Sequence, residues 1–328
     1  MILASDVGGT KTRLALYEFK DGEFNRHHLE EFKSTEAAGL AHIAKEYLNG
    51  KDVTIEAACF GVPGPVVNGH AKTTNLPWLI SEHELSRELG IAQVKLVNDL
   101  VSTTASVKHL SSSGLKTIHP GSKDRDTSIC TVLAPGTGTG QGFLCSQNGV
   151  NFPLPSEGGH VDFAPTNGTE DELLAYLRNK IKGRVSVERV LCGPGLVNIY
   201  DFLKHTGKDP EPAELATRIA QGHAASVISQ GGISGEFQIC EHALNIFCHA
   251  LGSHAGNMVL SYMATGGVYL GGGIPPKILP KLLEGRFLAG YLNKGRLTDV
   301  VKSTPVHVIL DDTAALLGAA SIAATLLR

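Results

Sequence analysis

None of the six cysteines stands in a CxxC pair, and the wide spacing of Cys59, Cys130, Cys145, Cys192, Cys240 and Cys248 suits neither a zinc knuckle nor a disulfide-stapled scaffold. Buried free thiols are expected. No stretch of 18 apolar residues occurs, so no membrane-spanning helix is expected. Charge of one sign is also scarce: 29 Lys and Arg stand against 32 Asp and Glu, a net of −3, with no basic stripe interleaved with aromatics. Neither nucleic acid nor a membrane is an expected partner. Met1 to Asp6 contains no basic stretch ahead of an apolar one, and a cytosolic location is expected.

Hydrophobic residues make up 42% of the chain and charged residues 19%, the balance of a globular protein and not of a disordered one. At 328 residues the chain exceeds the ~250–300 at which one core stops growing, so two lobes are expected. Glycine is in excess. There are 38 glycines where an average usage of about 7% would give roughly 23. Several cluster at Gly8-Gly9, Gly136 to Gly142 and Gly271 to Gly273, a distribution that suits backbone passing close to a ligand.

The patterning predicts a three-stranded meander over Ile2 to Phe32, a helix over Ala37 to Leu48 capped by Thr35, and an apolar strand over Val53 to Phe60. Ser81 to Glu84 fits a capping box, and Val94 to Val97 a short strand ending at Asn98-Asp99. Thr127 to Leu133 and Gly142 to Ser146 read as a strand pair around Gly136 to Gly140, a weak echo of the Asp6 to Thr10 turn. Helices are expected over Thr169 to Lys182, Gly195 to His205, Pro212 to Gln221, Ser234 to Tyr262 and Ala314 to Leu327, the Ser234 segment amphipathic with one face in the core. Strands at Val268 to Gly271 and Val306 to Leu310 complete an α/β pattern.

Asp6-Val-Gly-Gly-Thr-Lys-Thr12 follows a strand and precedes a β-patterned run, unlike a Walker loop or a dinucleotide fingerprint, both of which open a helix. Gly8 and Gly9 leave backbone N–H groups free to face phosphate, Thr10 and Thr12 add hydroxyls, and Asp6 is suited to hold a metal ion through water. An ordinary hairpin turn is the competing reading. Gly136, Thr137 and Gly138 form a second such turn, and Gly271-Gly272 a third. Asp99, just past an apolar strand, is placed either to accept a hydroxyl proton or simply to cap the following helix. Cys240, His242, Cys248, His249 and His254 share a helical segment without the tight spacing of a metal site.

These pieces resemble the actin-like ATPase (ribonuclease H-like) fold of sugar kinases, actin and the heat-shock chaperone nucleotide domain. Taken in order, Asp6 to Ala15, Thr74-Asn-Leu-Pro-Trp78, Val97-Asn-Asp99, Pro135-Gly-Thr-Gly138, Leu154 to Pro165 with Glu157-Gly-Gly-His160, Ser186 to Gly195 and Gly271-Gly-Gly-Ile274 are similar to the bacterial glucokinase family over essentially the whole chain. The resemblance implies an α/β, two-lobe fold with a cleft: a small lobe of residues 1–109 joined by the terminal helix 312–328, and a large lobe of 110–311. It implies phosphorylation of glucose at the 6-hydroxyl by ATP with Mg²⁺. Asp99 would be the general base, and Asn98, Asp99, Glu157, His160 and Glu188 would bind glucose. Asp6, Gly8, Gly9, Thr10, Lys11, Thr12, Gly136, Thr137, Gly138, Gly271 and Gly272 would hold the nucleotide, with Asp6 on the metal, and lobe closure would exclude water. A homodimer is also implied.

Two positions depart from the family pattern: Lys11 stands where asparagine is common and Thr139 where leucine is common. The cysteine-rich zinc motif of the related repressor and kinase sugar family is missing after Glu157-Gly-Gly-His160. Three other readings stay open: a kinase for another hexose or N-acyl hexosamine, a sugar-binding regulator, and an ATPase without a sugar substrate. The regulator is disfavoured, because the phosphate strand starts at Ile2 and leaves no room ahead of it for a helix-turn-helix.

Overall fold

The computed structural model describes residues 1–73, 76–123 and 127–327; Thr74 and Asn75 of the Thr74 to Trp78 motif, and Arg328 of the terminal helix, lie outside them. The chain forms two compact units, one of Met1–Gly114, Gly149–Pro155 and Asp311–Arg328, the other of Leu115–Asn148 and Ser156–Leu310.

The first unit begins with the expected meander, β1 (Ile2–Val7), β2 (Lys11–Lys20) and β3 (Glu23–Lys33). Then follow α1 (Leu40–Leu48), β4 (Ala57–Val62), a small sheet of β5 (Val66–Val67), β6 (His70–Lys72) and β7 (Leu79–Ser81), then α2 (Glu82–Leu89), β8 (Gln93–Asn98) and α3 (Asp99–Ser106). The main sheet runs β3-β2-β1-β4-β8, with β1, β4 and β8 parallel. Alternation along β1 and β4 sends Leu3, Ala58 and Phe60 to one face against Ile43 and Tyr47 of α1, and Ile2, Ala4, Ala57 and Cys59 to the other. Both faces are covered, which is why these strands are apolar throughout.

α1 starts three residues later than its periodicity predicts, and Thr35 does not cap it. Ser34–Glu36 form a 3-10 turn instead, and Gly39 stands at the N-cap. The cause is a long-range tie: Ser34 is bonded to Gly8 O and Thr10 O of the glycine turn, so the chain cannot enter a helix there. The Val53 to Phe60 run becomes a strand only from Ala57. Ser81 caps α2 as expected, its Oγ accepting from Glu84 N at 3.4 Å.

In the second unit lie β9 (Leu115–His119), β10 (Ile129–Pro135) and β11 (Thr139–Gln147); β12 (Val150–Ser156) follows. The six-stranded sheet has the order β12-β11-β10-β13-β14-β9, where β13 is Gly267–Leu270 and β14 is Val306–Ile309. Its helices are α4 (Gly168–Ile181), α5 (Gly193–His205), α6 (Ala213–Gln221), α7 (Ala224–Ser234), α8 (Gln238–Tyr262), α9 (Leu279–Leu283), α10 (Arg286–Leu292) and α11 (Thr298–Ser303). The predicted Ser234 to Tyr262 helix is thus preceded by α7, which stops at Gly235 in the left-handed conformation. Nor is α8 one-faced: α5, α7 and α10 all pack on it, and buried residues surround it. α9 to α11 escape prediction because helices of five to seven residues carry too few turns for a period.

The chain then returns to the first unit as α12 (Ala314–Thr325), whose Leu316, Ala319, Ala320 and Ala323 cover Ile2, Ala4, Ala57 and Cys59. All six cysteines are free, with Cys145 partly exposed and the other five buried. Among the described residues, no helix is long and apolar enough to cross a membrane.

Candidate active site

Parallel pairing aligns Asp6 with Gly61, and Gly61 with Val97, so the carboxyl ends of β1, β4 and β8 share one edge. Ligands of open α/β sheets collect at such an edge. Asn98 and Asp99 emerge there into α3. Asn98 is the N-cap: its Oδ1 accepts from Leu100 N at 2.9 Å, and its Nδ2 donates to Gly64 O at 3.1 Å. Asp99 Oδ1 accepts the same Leu100 N–H at 2.8 Å. The cap therefore does not rest on Asp99 alone, whose Oδ1 shares the Leu100 N–H with Asn98.

Burial pushes the Asp99 carboxyl above its usual range, opposed by the Leu100 N–H and by Asn98. Asp6 is pushed up to about 6, first by burial and then by the like charge of Asp99, with Arg13 opposing. Two carboxylates that repel through a poorly solvated edge favour a cation or a proton.

The Gly8 to Thr12 turn is braced from behind by the buried Ser34, which sequence reasoning missed. Ser34 Oγ donates to Gly8 O at 2.8 Å and lies 2.9 Å from Thr12 Oγ1, while Ser34 N donates to Thr10 O at 2.9 Å. Gly8 N is itself used by Lys11 O at 2.8 Å, and a Cβ on Gly8 would stand 2.8 Å from that same oxygen. Gly9 is partly buried and Thr10 exposed. Lys11 and Arg13 both pair with Glu31 on β3, and Arg13 also reaches Asp312 at 3.2 Å. No sequence spacing could reveal a brace 26 residues away.

In the second unit, β10 and β11 meet at Pro135 and Thr139, leaving Gly136, Thr137 and Gly138 as the turn, with Thr137 exposed. Gly136 N donates to Gly138 O at 2.8 Å, and Gly193 N at the start of α5 donates to Gly136 O at 2.9 Å. Gly271 N donates to Leu133 O at 2.9 Å, and a Cβ on Gly272 would stand 2.6 Å from Pro135 O. The second and third glycine turns are therefore neighbours.

Glu188 reaches the same turn: its Oε2 accepts from Thr139 N at 2.8 Å. Gly158–His160 is a 3-10 turn in which His160 N donates to Glu157 O at 2.9 Å, with Glu157 and His160 exposed. Val161 to Phe163 pairs with Val185 to Val187, which fastens the Glu157 turn next to Glu188. The structure thus gathers Gly136, Thr137, Gly138, Glu157, His160, Glu188, Gly271 and Gly272 in one unit. Asp6, Gly8 to Thr12, Asn98 and Asp99 gather in the other. His242 and His249 on α8 are engaged with Asp209 at 2.8 Å and Glu170 at 2.7 Å.

Among the described residues, no three His, Cys, Asp or Glu side chains are grouped for a metal. Mg²⁺ needs no such cage, since it keeps its waters and takes one or two carboxylates together with substrate phosphates. Asp6, with its displaced pKa and the charge of Asp99 nearby, fits that demand. The same displacement sets a stability test. The folded state holds the Asp6 proton up to about pH 6, so stability falls as pH rises from the ordinary aspartate value of 3.8 towards 6. Asp6→Asn should therefore melt higher than the wild type at pH 7, and the two curves should converge below pH 4. Equal melting temperatures across that range would contradict the buried-charge assignment.

The glucokinase family model matches residues 3–326. A curated glucokinase from Nostoc sp. strain PCC 7120 is 38% identical over 341 aligned positions, covering 99% of each chain. The crystal structure of a glucokinase from an Antarctic psychrotroph is 31% identical, covers 99% of this chain and 98% of its own, and superposes with a TM-score of 0.89. A ROK family glucokinase from Streptomyces griseus, solved with glucose and AMPPNP, shares the fold at 16% identity, with a TM-score of 0.64 and 99% coverage of both chains. The agreement runs from the first strand to the last helix, and the chain belongs to the glucokinase family.

Proposed function

We propose that the chain transfers the γ-phosphoryl group of ATP to the 6-hydroxyl of glucose with Asp99 as general base. The observation that carries this role is the Asp99 carboxylate at the carboxyl end of β8, which shares the Leu100 N–H with the N-cap Asn98 through Oδ1 alone and is held at a raised pKa. As the sugar oxygen attacks phosphorus, its proton passes to Asp99, the new O–P bond forms, and the bond to the ADP bridging oxygen breaks. The products are glucose 6-phosphate and ADP.

Asn98, Glu157, His160 and Glu188 hold the sugar hydroxyls by hydrogen bonds that fix the 6-hydroxyl for attack. The Gly8 to Thr12 and Gly136 to Gly138 turns take the phosphates, with Gly8 and Thr12 shaping the first turn through Lys11 O and Ser34 Oγ, and Gly271-Gly272 the nucleoside side. When bound with ATP, Mg²⁺ neutralises phosphate charge, and Asp6 is the residue to hold it through water. The reading draws on both units, and the expected cleft, small lobe and large lobe belong to it. So do a cytosolic location and a homodimer.

ADP release from ATP and Mg²⁺, with glucose, mannose, fructose or N-acetylglucosamine and without sugar, tests the substrate. Glucose should give the highest kcat/KM, with little release when sugar is omitted. A higher kcat/KM for another sugar would displace glucose, and sugar-independent hydrolysis would leave only an ATPase.

A further inference from the structure

β11 touches Glu188 and the Gly158-Gly159 backbone of the proposed sugar site in its unit. Thr139 N serves Glu188, and Cβ atoms on Gly158 and Gly159 would overlap the Gln141 amide and Thr139 O. Gln141 is 4% exposed, so its amide is nearly sealed beneath the Glu157-Gly-Gly-His160 turn. Its Nε2 hydrogen-bonds His254 Nε2 on α8, 113 residues away in sequence. For the amide to donate, that imidazole nitrogen must be unprotonated. Burial, and then the charge of Lys294, depress His254 to about 4, so it stays neutral at physiological pH. Lys294 is itself held in place by Asn257 Oδ1 at 2.8 Å and Ser253 Oγ at 3.3 Å.

We infer that Gln141 and His254 are positioning residues for sugar binding: the imidazole orients the Gln141 amide, and the amide sets the height of the Glu157 to His160 turn. The inference rests on the proposed role of Glu157 and His160 as glucose ligands. Gly158 is needed in this arrangement because the amide occupies the space of its missing Cβ. An amide deprived of its acceptor turns or takes up water, and the turn above it loses its fixed seat. The phosphate turn at Gly136 to Gly138 is anchored separately, through Gly193 N, and is not expected to follow.

The test separates the two substrates. Gln141→Ala and His254→Leu should each raise KM for glucose about tenfold, with kcat at saturating glucose and KM for ATP within twofold of the wild type. His254→Gln keeps an acceptor for the amide and should restore KM for glucose to within threefold, which a purely structural role of the ring would not predict. Should His254→Leu fail to fold, Gln141→Ala and His254→Gln still decide the matter. An unchanged KM for glucose in a folded Gln141→Ala, or an equal rise in KM for ATP, overturns the positioning role. A wild type without glucose-dependent turnover overturns the kinase reading itself, and this inference with it.

Discussion

Asp99→Asn should lower glucose-dependent kcat by about 10²- to 10⁴-fold, the range general acid–base catalysis contributes. The substitution keeps an oxygen to accept the Leu100 N–H and leaves Asn98 as the cap of α3, so the helix start is undisturbed. On the proposed mechanism, what is lost is the capacity to take the proton of the 6-hydroxyl as its oxygen attacks. KM for ATP should stay within threefold. Thermal stability at pH 7 should hold or rise, because an aspartate whose pKa is raised by folding destabilises the fold once ionised, and asparagine removes that charge. A steady-state assay beside a melting curve reads both. A kcat reduced less than tenfold in a folded variant would take the base role from Asp99, and a large drop in melting temperature would assign it to holding α3.

That a proposed base and its neighbours can be singled out at all depends on how local their signals are. The glycine turns, the Asn98-Asp99 strand end and the Glu157-Gly-Gly-His160 turn each lie within a few consecutive residues, so sequence alone marks them. The strands of the two sheet centres are equally readable from their apolar runs, whereas the short or exposed β5 to β7, β9 and β12 carry too little apolar pattern to be read. What stayed hidden is support delivered from afar. Ser34 behind the first glycine turn, Gln141 and His254 beneath the second unit's turn, and Glu31 beside Lys11 pair across 20 to 113 residues, and no period or spacing records such pairs. Thr35 misled for the same reason: it reads as a cap until Ser34 is seen tied to Gly8. The Ser234 start failed differently: that residue closes α7, which the sequence reading does not contain, and α8 begins only at Gln238 after the left-handed Gly235.

Gly318→Ala should be the most damaging small change outside the proposed ligand residues. Gly318 lies in α12 where that helix crosses α3, and a Cβ there would overlap Ser102 O and stand 2.6 Å from Ser102 C. Both obstacles are backbone, so no side chain can rotate away and the helices must separate. Overpacking of this kind costs about 1–3 kcal/mol where side chains can yield, and against backbone the upper end or beyond is expected. The melting temperature should then drop by roughly 5–10 °C. α3 carries Asp99 at its first turn, only three residues before Ser102, so the separation also moves the carboxylate. A displacement near 1 Å costs on the order of 10²-fold in rate, and kcat should fall even at temperatures where the variant is fully folded. Gly183→Ala serves as the comparison, since an added Cβ there meets nothing within 4 Å, and it should melt with the wild type. Were Gly318→Ala to match Gly183→Ala in both melting temperature and kcat, α3 and α12 could not be packed this closely in solution, and the position of Asp99 would have to be set by β8 and the Asn98 cap alone.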